Sequence, residues 1–250
     1  MTLLNRCLAL GLVFSLSVVT PSFAEKTRSD PVIRPLPPSG EFVYVAMHGN
    51  NGFKLGEARY SWRRDHEKYA MLLKLKTTGL MDRIYHFEYT QESRGRVSKE
   101  GLLPDFFQVS QKGRGDETAT FDRSAKKITM MRKGKKSKYA LEKGVQDVLS
   151  VWQAASLTGV DALIGERMIV TNRRVYSAHV VLGEVEQQQL PVGNVLAQHL
   201  LITGEGSHPL RLDLWLSPVY YNMPVRIMMT DHRDNKVDLR LKAVNGLSYE

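Results

Sequence analysis

From Glu41 onward, apolar and polar positions alternate with a period of two through most of the chain. In KVDLRLKAVN, Val237, Leu239 and Leu241 alternate with Asp238, Arg240 and Lys242. In KYAMLLKLKTTG, Met71, Leu73 and Leu75 alternate with Leu72, Lys74 and Lys76. This spacing turns one side of an extended strand inward and leaves the other wet. The same reading covers EFVYVAMHG, FKLGEARYSWRR and DRIYHFEYTQESRG, then the shorter FFQVSQKG, ETATFD, KKITMMRKG and KKSKYALEKG. Strands resume in ERMIVTNRR, VYSAHVVLGEVEQQQ, NVLAQHLLITGE, RLDLWLSP and MPVRIMMTD. Turns are expected at Asn50-Asn51-Gly52, Asp122-Arg123-Ser124 and Lys133-Gly134-Lys135.

One segment changes period. In VQDVLSVWQAASLTG, Val145, Val148, Leu149, Trp152 and Ala155 form a single helical stripe, and Gly159 is a plausible stop. The pattern predicts roughly eleven strands and one helix of about three turns. No strand–helix–strand repetition calls for a parallel sheet. The expected fold is therefore mainly β: an antiparallel, strongly curved sheet or partly open β-barrel, with one short helix packed on it or plugging it.

The N-terminus changes the picture by adding a compartment. Residues 1–24 carry Arg6, an apolar run LALGLVFSLSVV and small residues at Ser22 and Ala24, the layout of a secretory signal peptide cleaved after Ala24. The run is short for a bilayer-spanning helix, which needs about 20 residues, so no transmembrane span is expected after cleavage. Residues 25–40, with four prolines, read as an extended leader, and 41–250 as a single β-rich domain. The one cysteine, Cys7, leaves with the signal, which excludes a disulfide scaffold, a thiol nucleophile and a cysteine-based zinc site. The bacterial periplasm is the simplest destination. The net charge of +9 favours anionic surfaces, which there means lipid headgroups or lipopolysaccharide phosphates, with no nucleic-acid partner expected. Solubility alone is an equally good reason for the basic excess.

Catalytic and metal motifs are scarce. The seven histidines include no HExxH spacing, and no G-x-S-x-G occurs. His86, His179, Asp105 and Asp213 are the groups to inspect for an enzyme, but nothing in the sequence pairs them. GRGD at 113–116 is too short to carry meaning. No metal site and no cofactor are called for. LDLWLSPVYYNMPVRI, 212–227, reads as strand, turn, strand: Ser217-Pro218 stops the first because proline has no N–H for a ladder. Trp215, Tyr220 and Tyr221 are still candidates for a groove, since aromatics give contact area with a polar handle.

Several segments resemble the family of bacterial exported proteins known as DUF3108, a domain of unknown function. They are KLGEARYSW, GLLPDFFQ at 101–108, QDVLSVWQAASL at 146–157, LPVGNVLAQHL at 190–200 and LWLSPVYYNMPVRI at 214–227. The resemblance implies a periplasmic β-rich domain, with a fold similar to lipoprotein carriers of the LolA and LolB type. It also implies an acidic residue after the proline of the W-x-S-P segment, where this chain has Val219.

Three functions remain open. The first is a non-enzymatic protein that binds a lipid, lipoprotein or envelope glycan in a cavity or groove of the sheet. Its candidate ligand residues are Trp215, Tyr220, Tyr221, Met130 and Met228, with a basic rim from Arg63, Arg64, Arg132, Lys133, Lys135 and Lys136. The second is a structural or docking protein for an envelope assembly, recognised by an exposed apolar patch or bare strand edge. The third is a hydrolase acting on cell-wall or lipid material.

Overall fold

Alternation along each strand becomes two distinct sheet faces. The computed structural model describes residues 35–49, 52–84 and 86–248. The signal-like segment, most of the leader and Asn50 and Asn51 of the first predicted turn lie outside the described residues. In chain order the strands are β1 (Ser39–His48), β2 (Phe53–Arg64), β3 (Lys68–Thr77), β4 (Glu88–Ser98), β5 (Gly101–Gln111), β6 (Glu117–Asp122), β7 (Lys127–Arg132) and β8 (Lys135–Ala140). They continue as β9 (Gln146–Asp147), β10 (Gly165–Val170), β11 (Val175–Leu190), β12 (Gly193–Gly204), β13 (Leu210–Ser217), β14 (Met223–Thr230) and β15 (Lys236–Ser248). Among the described residues two α-helices, α1 (Leu80–Ile84) and α2 (Val151–Thr158), and two short 3-10 turns interrupt them.

Among the described residues fifteen strands form one sheet in the order β8-β7-β6-β5-β4-β3-β2-β1-β15-β14-β13-β12-β11-β10-β9. Neighbours are antiparallel, except that β9 runs parallel to β10. The first and last strands, β1 and β15, pair at the middle. The strongly curved or barrel-like sheet expected from the sequence is corrected here: the sheet is open, and its end strands β8 and β9 do not pair with each other. Period two specifies which side of a strand is buried, but it does not say whether the outermost strands meet. The residues explain the open ends. β8 reads KKSKYA and is largely exposed, while β9 is only two residues long. The side chains of β9 are committed elsewhere: Gln146 donates to the Leu102 carbonyl at 2.9 Å, and Asp147 accepts from Ser93 at 2.6 Å.

The predicted helical stripe is buried at every position, yet only its second half is helix. Val145 to Asp147 lead into and form β9, and the turn into α2 is built by Asp147, whose Oδ1 accepts the N–H groups of Leu149 and Ser150. The stripe carries Trp152 into the core against Tyr60, with ring centroids 5.6 Å apart. Phe42 packs edge-on to Trp62 at 5.4 Å. Each large apolar side chain buried in this way contributes roughly 1.5–3 kcal/mol. The chain is already packed at Leu36, and Trp62 Nε1 donates to the Pro37 carbonyl at 2.9 Å. The turn at Lys133-Gly134 has positive φ at both residues, the conformation that joins two strands most tightly.

A second layer covers part of the opposite face. The β11–β12 pairing shifts register between Leu182 and Val185. Beyond that point the hairpin turns its inner side chains onto β13 and β14. Glu186 accepts from Trp215 Nε1 at 3.0 Å, Gln188 accepts from Arg226 at 3.1 Å, and Val192 N–H reaches the Leu241 carbonyl at 3.2 Å. Under it, Arg226 lies 4.5 Å over the Trp215 ring and grips Asp238 with two bonds of 3.0 and 2.8 Å. His199 stacks on Trp215 at 4.8 Å and bonds Asp213 at 2.9 Å. Gly183 is required here, because a Cβ would stand 2.6 Å from the His199 ring.

Candidate functional site

The core is incomplete between β3 and β13–β15. There the inward positions of β3, β13, β14 and β15 converge: Leu73 and Leu75, Leu212, Met229, Val237 and Leu239. Each alternates with an outward polar neighbour, as Leu75 does with Lys74 and Lys76. They line a cleft of about 330 Å³. Leu73, Leu212 and Leu239 are buried and form its floor, while Leu75, Met229 and Val237 are half-buried nearer the mouth. Phe87 and Tyr89 stack in parallel at 6.2 Å and extend the wall. A smaller recess of about 240 Å³ shares Leu75, Phe87 and Val237 and adds Leu55 and Met81.

The polar groups lie at the edges. Gln91 Nε2 donates to the Tyr89 hydroxyl at 2.7 Å, and burial pushes that phenol up to about 12, so it stays protonated. His208 and His232 face each other at 4.3 Å, and the Tyr176 hydroxyl donates to the His208 carbonyl at 2.9 Å. The pKa of the His208 imidazole is lowered by desolvation and then by the nearby His232, Arg174 and Arg173. Arg173 supplies a cation at the rim; Arg211 borders the cleft too, but its guanidinium turns to Asp213 on the other face at 3.2 Å. Asp231 is occupied with its own turn, accepting from Arg233 N, Asn235 N and Asn235 Nδ2. An apolar interior with a cationic, hydrogen-bonding mouth suits a molecule with one long apolar part and one anionic end.

The residues singled out from sequence lie in several separate places. Arg63 and Arg64 share a groove of about 760 Å³ with Lys68, Arg94, Asp105 and Phe106. Arg64 also donates to the Leu36 carbonyl. Arg132 and Lys133 line another polar pocket, where Arg132 bonds Glu117 at 3.1 Å. Lys135 and Lys136 are exposed on β8. Met130 is buried in the core. Trp215 lies under the β11–β12 hairpin, and Met228 pairs across to Asp213 and Asp238 on the same face. Tyr220 sits edge-on to Phe42 at 6.2 Å in the 3-10 turn Pro218–Tyr220, and Tyr221 follows it in a left-handed conformation. Val219, in the same turn, is exposed. None of these lines the apolar cleft, whose residues look like ordinary core alternation in the sequence. Met229 points into it and Met228 away, a difference of one position.

The groups inspected for catalysis are each engaged elsewhere. His86 bonds Asp82 at 2.8 Å, His179 bonds Glu166 at 2.8 Å, and Asp105 pairs with Arg96 at 3.2 Å. Asp213 is held by His199 and by Arg211 at 3.2 Å. Among the described residues no group of three or more His, Cys, Asp or Glu is placed to hold a metal ion, and no helix is long and apolar enough to cross a membrane.

Fold and cleft together define a mainly β protein built on one open sheet, with an apolar recess between β3 and β13–β15. Residues 43–239 match the family described as "Protein of unknown function (DUF3108)", and the chain belongs to that family. Among curated proteins none matches the sequence. The chain is similar in structure to a beta-barrel-like protein of the domain of unknown function DUF1849 from Brucella abortus. The TM-score is 0.55 at 12% identity, over 85% of this chain and 99% of that one. That likeness is one of fold alone. Looser resemblances are to a candidate exported protein with a YmcC-like fold from Bacteroides fragilis (TM-score 0.36, 8% identity, 86% of this chain and 99% of that one) and to a candidate lipoprotein from Parabacteroides distasonis (TM-score 0.34, 10% identity, 84% and 97%).

Proposed function

We propose that this protein is a non-enzymatic binding protein of the bacterial envelope that takes an acyl chain into the cleft between β3 and β13–β15. The observation that carries this reading is the apolar recess of about 330 Å³, continued by the smaller one beside Leu75 and Phe87. Chains in a packed core fill such space, because each unfilled methylene volume costs stability. An unfilled apolar recess bordered by Arg173, His208 and His232 therefore suits a ligand with an apolar tail and an anionic head. The signal-like N-terminus supports a periplasmic setting, where acyl lipids and lipoproteins are at hand.

The test is native mass spectrometry of the full chain purified from the periplasm, followed by unfolding and lipid extraction. Wild type is expected to release an acyl lipid in stoichiometric amount. Leu75→Trp, which fills the junction of both recesses from a half-buried position, is expected to lose the ligand and keep its melting temperature. A wild type that carries no lipid and takes up no added fatty acid would overturn the reading. A second reading, docking onto an envelope assembly, draws on Val185 and Leu196, both exposed on the outer side of the β11–β12 hairpin.

A further inference from the structure

The loop between β3 and β4 places its largest apolar side chains in water. Leu80 and Ile84 of α1 are 71% and 72% exposed, and Phe53 at the start of β2 is 53% exposed. Leu80 and Ile84 lie on the same short helix as Met81, and Phe53 lies two residues before Leu55, both Met81 and Leu55 lining the smaller recess. Thr78 N–H bonds the Leu55 carbonyl at 3.4 Å, and Met81 lines the smaller recess with Leu55 and Gly56. Scattered exposed apolar residues need no explanation, but three large ones on the lip of an apolar recess do. A five-residue helix gains nothing from showing both Leu80 and Ile84 to solvent.

The lip carries exposed cations. Lys54, Lys76 and Arg83 are exposed. The nearby carboxylates are engaged: Asp82 by Thr77 at 2.9 Å and His86 at 2.8 Å, Glu57 by Arg59 at 2.8 Å and Lys242 at 3.2 Å, and Glu88, opposite Lys76, by His86 at 3.7 Å. Apolar side chains flanked by cations match the headgroup boundary of an anionic bilayer, with the apolar groups below the phosphates and the cations level with them.

We propose that Phe53, Leu80 and Ile84 dock this protein on an anionic phospholipid bilayer, so that the mouth of the cleft opens onto the membrane from which its acyl ligand comes. This rests on the acyl-binding reading for what passes through the mouth, but not for the docking itself. The experiment is co-sedimentation of the full chain with vesicles of 3:1 phosphatidylethanolamine and phosphatidylglycerol, compared with pure phosphatidylcholine. Wild type is expected to partition onto the anionic vesicles and much less onto the neutral ones. Leu80→Ser with Ile84→Ser is expected to weaken partitioning by roughly tenfold per residue removed from the bilayer, and Arg83→Glu to weaken it chiefly at low salt. Circular dichroism melts check that both variants fold as wild type. The idea is overturned if wild type ignores anionic vesicles, or if the folded double-serine variant binds them as wild type does. Lipid extraction of the same samples separates the two proposals. A loaded protein that does not dock sinks this one alone, and a docking protein with an empty cleft sinks the acyl-binding reading alone.

Discussion

Replacing Asp147 with asparagine tests the electrostatics of the core directly. Asp147 is fully buried where β9 turns into α2. Its Oδ1 accepts the N–H groups of Leu149 at 2.9 Å and Ser150 at 2.8 Å, and its Oδ2 accepts the Ser93 hydroxyl at 2.6 Å. Burial pushes its pKa up to about 6, against the pull of those bonds. The native state therefore keeps a proton that the unfolded chain releases near its ordinary value of 3.8. Between about pH 4 and 6 the folded form binds more protons than the unfolded form, so this group's contribution to stability falls as pH rises and is constant above that window. A shift of about two units corresponds to about 3 kcal/mol of stability lost by neutral pH. Asparagine preserves the geometry, since its oxygen accepts both N–H groups and its amide donates to Ser93, but it carries no charge. Urea unfolding of both proteins from pH 4 to 7.5, at constant m-value, gives the difference in stability. Asp147→Asn is expected to gain on wild type by about 3 kcal/mol across that range, with most of the change between pH 4 and 6. Carboxylates such as Asp65 and Asp122, lowered by bonds in their turns, affect both proteins alike and cancel. A flat difference, or one that favours wild type as pH rises, would refute the reasoning and show that the bonds at the start of α2 hold the carboxylate ionised.

Two further substitutions probe the layer under the β11–β12 hairpin. Arg226→Met removes two bonds from the buried Asp238 and leaves it to Arg240 at 3.0 Å. A loss of about 3 kcal/mol is expected in chemical denaturation, because Arg240 alone is left to compensate the buried Asp238 charge. Gly183→Ala pushes a methyl into His199 and is expected to cost about 1–3 kcal/mol. Increased protease cleavage within 185–197 would show that the hairpin has lifted.

Strand positions were readable because burial is written directly into alternation. Leu212, Leu214 and Leu216 are buried on one side and Trp215 lies on the other, and Pro218 ends the strand as its missing N–H requires. Short helices were not readable in the same way. LMDRI makes little more than one turn, too few residues for a 3.6-residue period to emerge, and α1 stands inside what reads as a strand beginning at Asp82. The cleft was hidden for a different reason. Leu75, Met229 and Val237 are typical inward strand residues, and only the tertiary arrangement shows that nothing fills the space between them. Basic residues were visible individually, but Arg63 and Arg132 lie on strands far apart in the sheet order, so their grouping into one rim could not follow from composition.

The open ladder has a consequence for how copies of the chain treat one another. A sheet that does not close keeps a border strand whose backbone can template a neighbour. On β8 that border reads KKSKYA, with Lys135, Lys136 and Lys138 all exposed. Two such borders brought side by side would stack like charges, so intermolecular strand addition is opposed. Part of the chain's basic excess is thereby accounted for as protection against fibrous self-association, and replacing these lysines with threonines is expected to lower the concentration at which the protein precipitates, measured by light scattering.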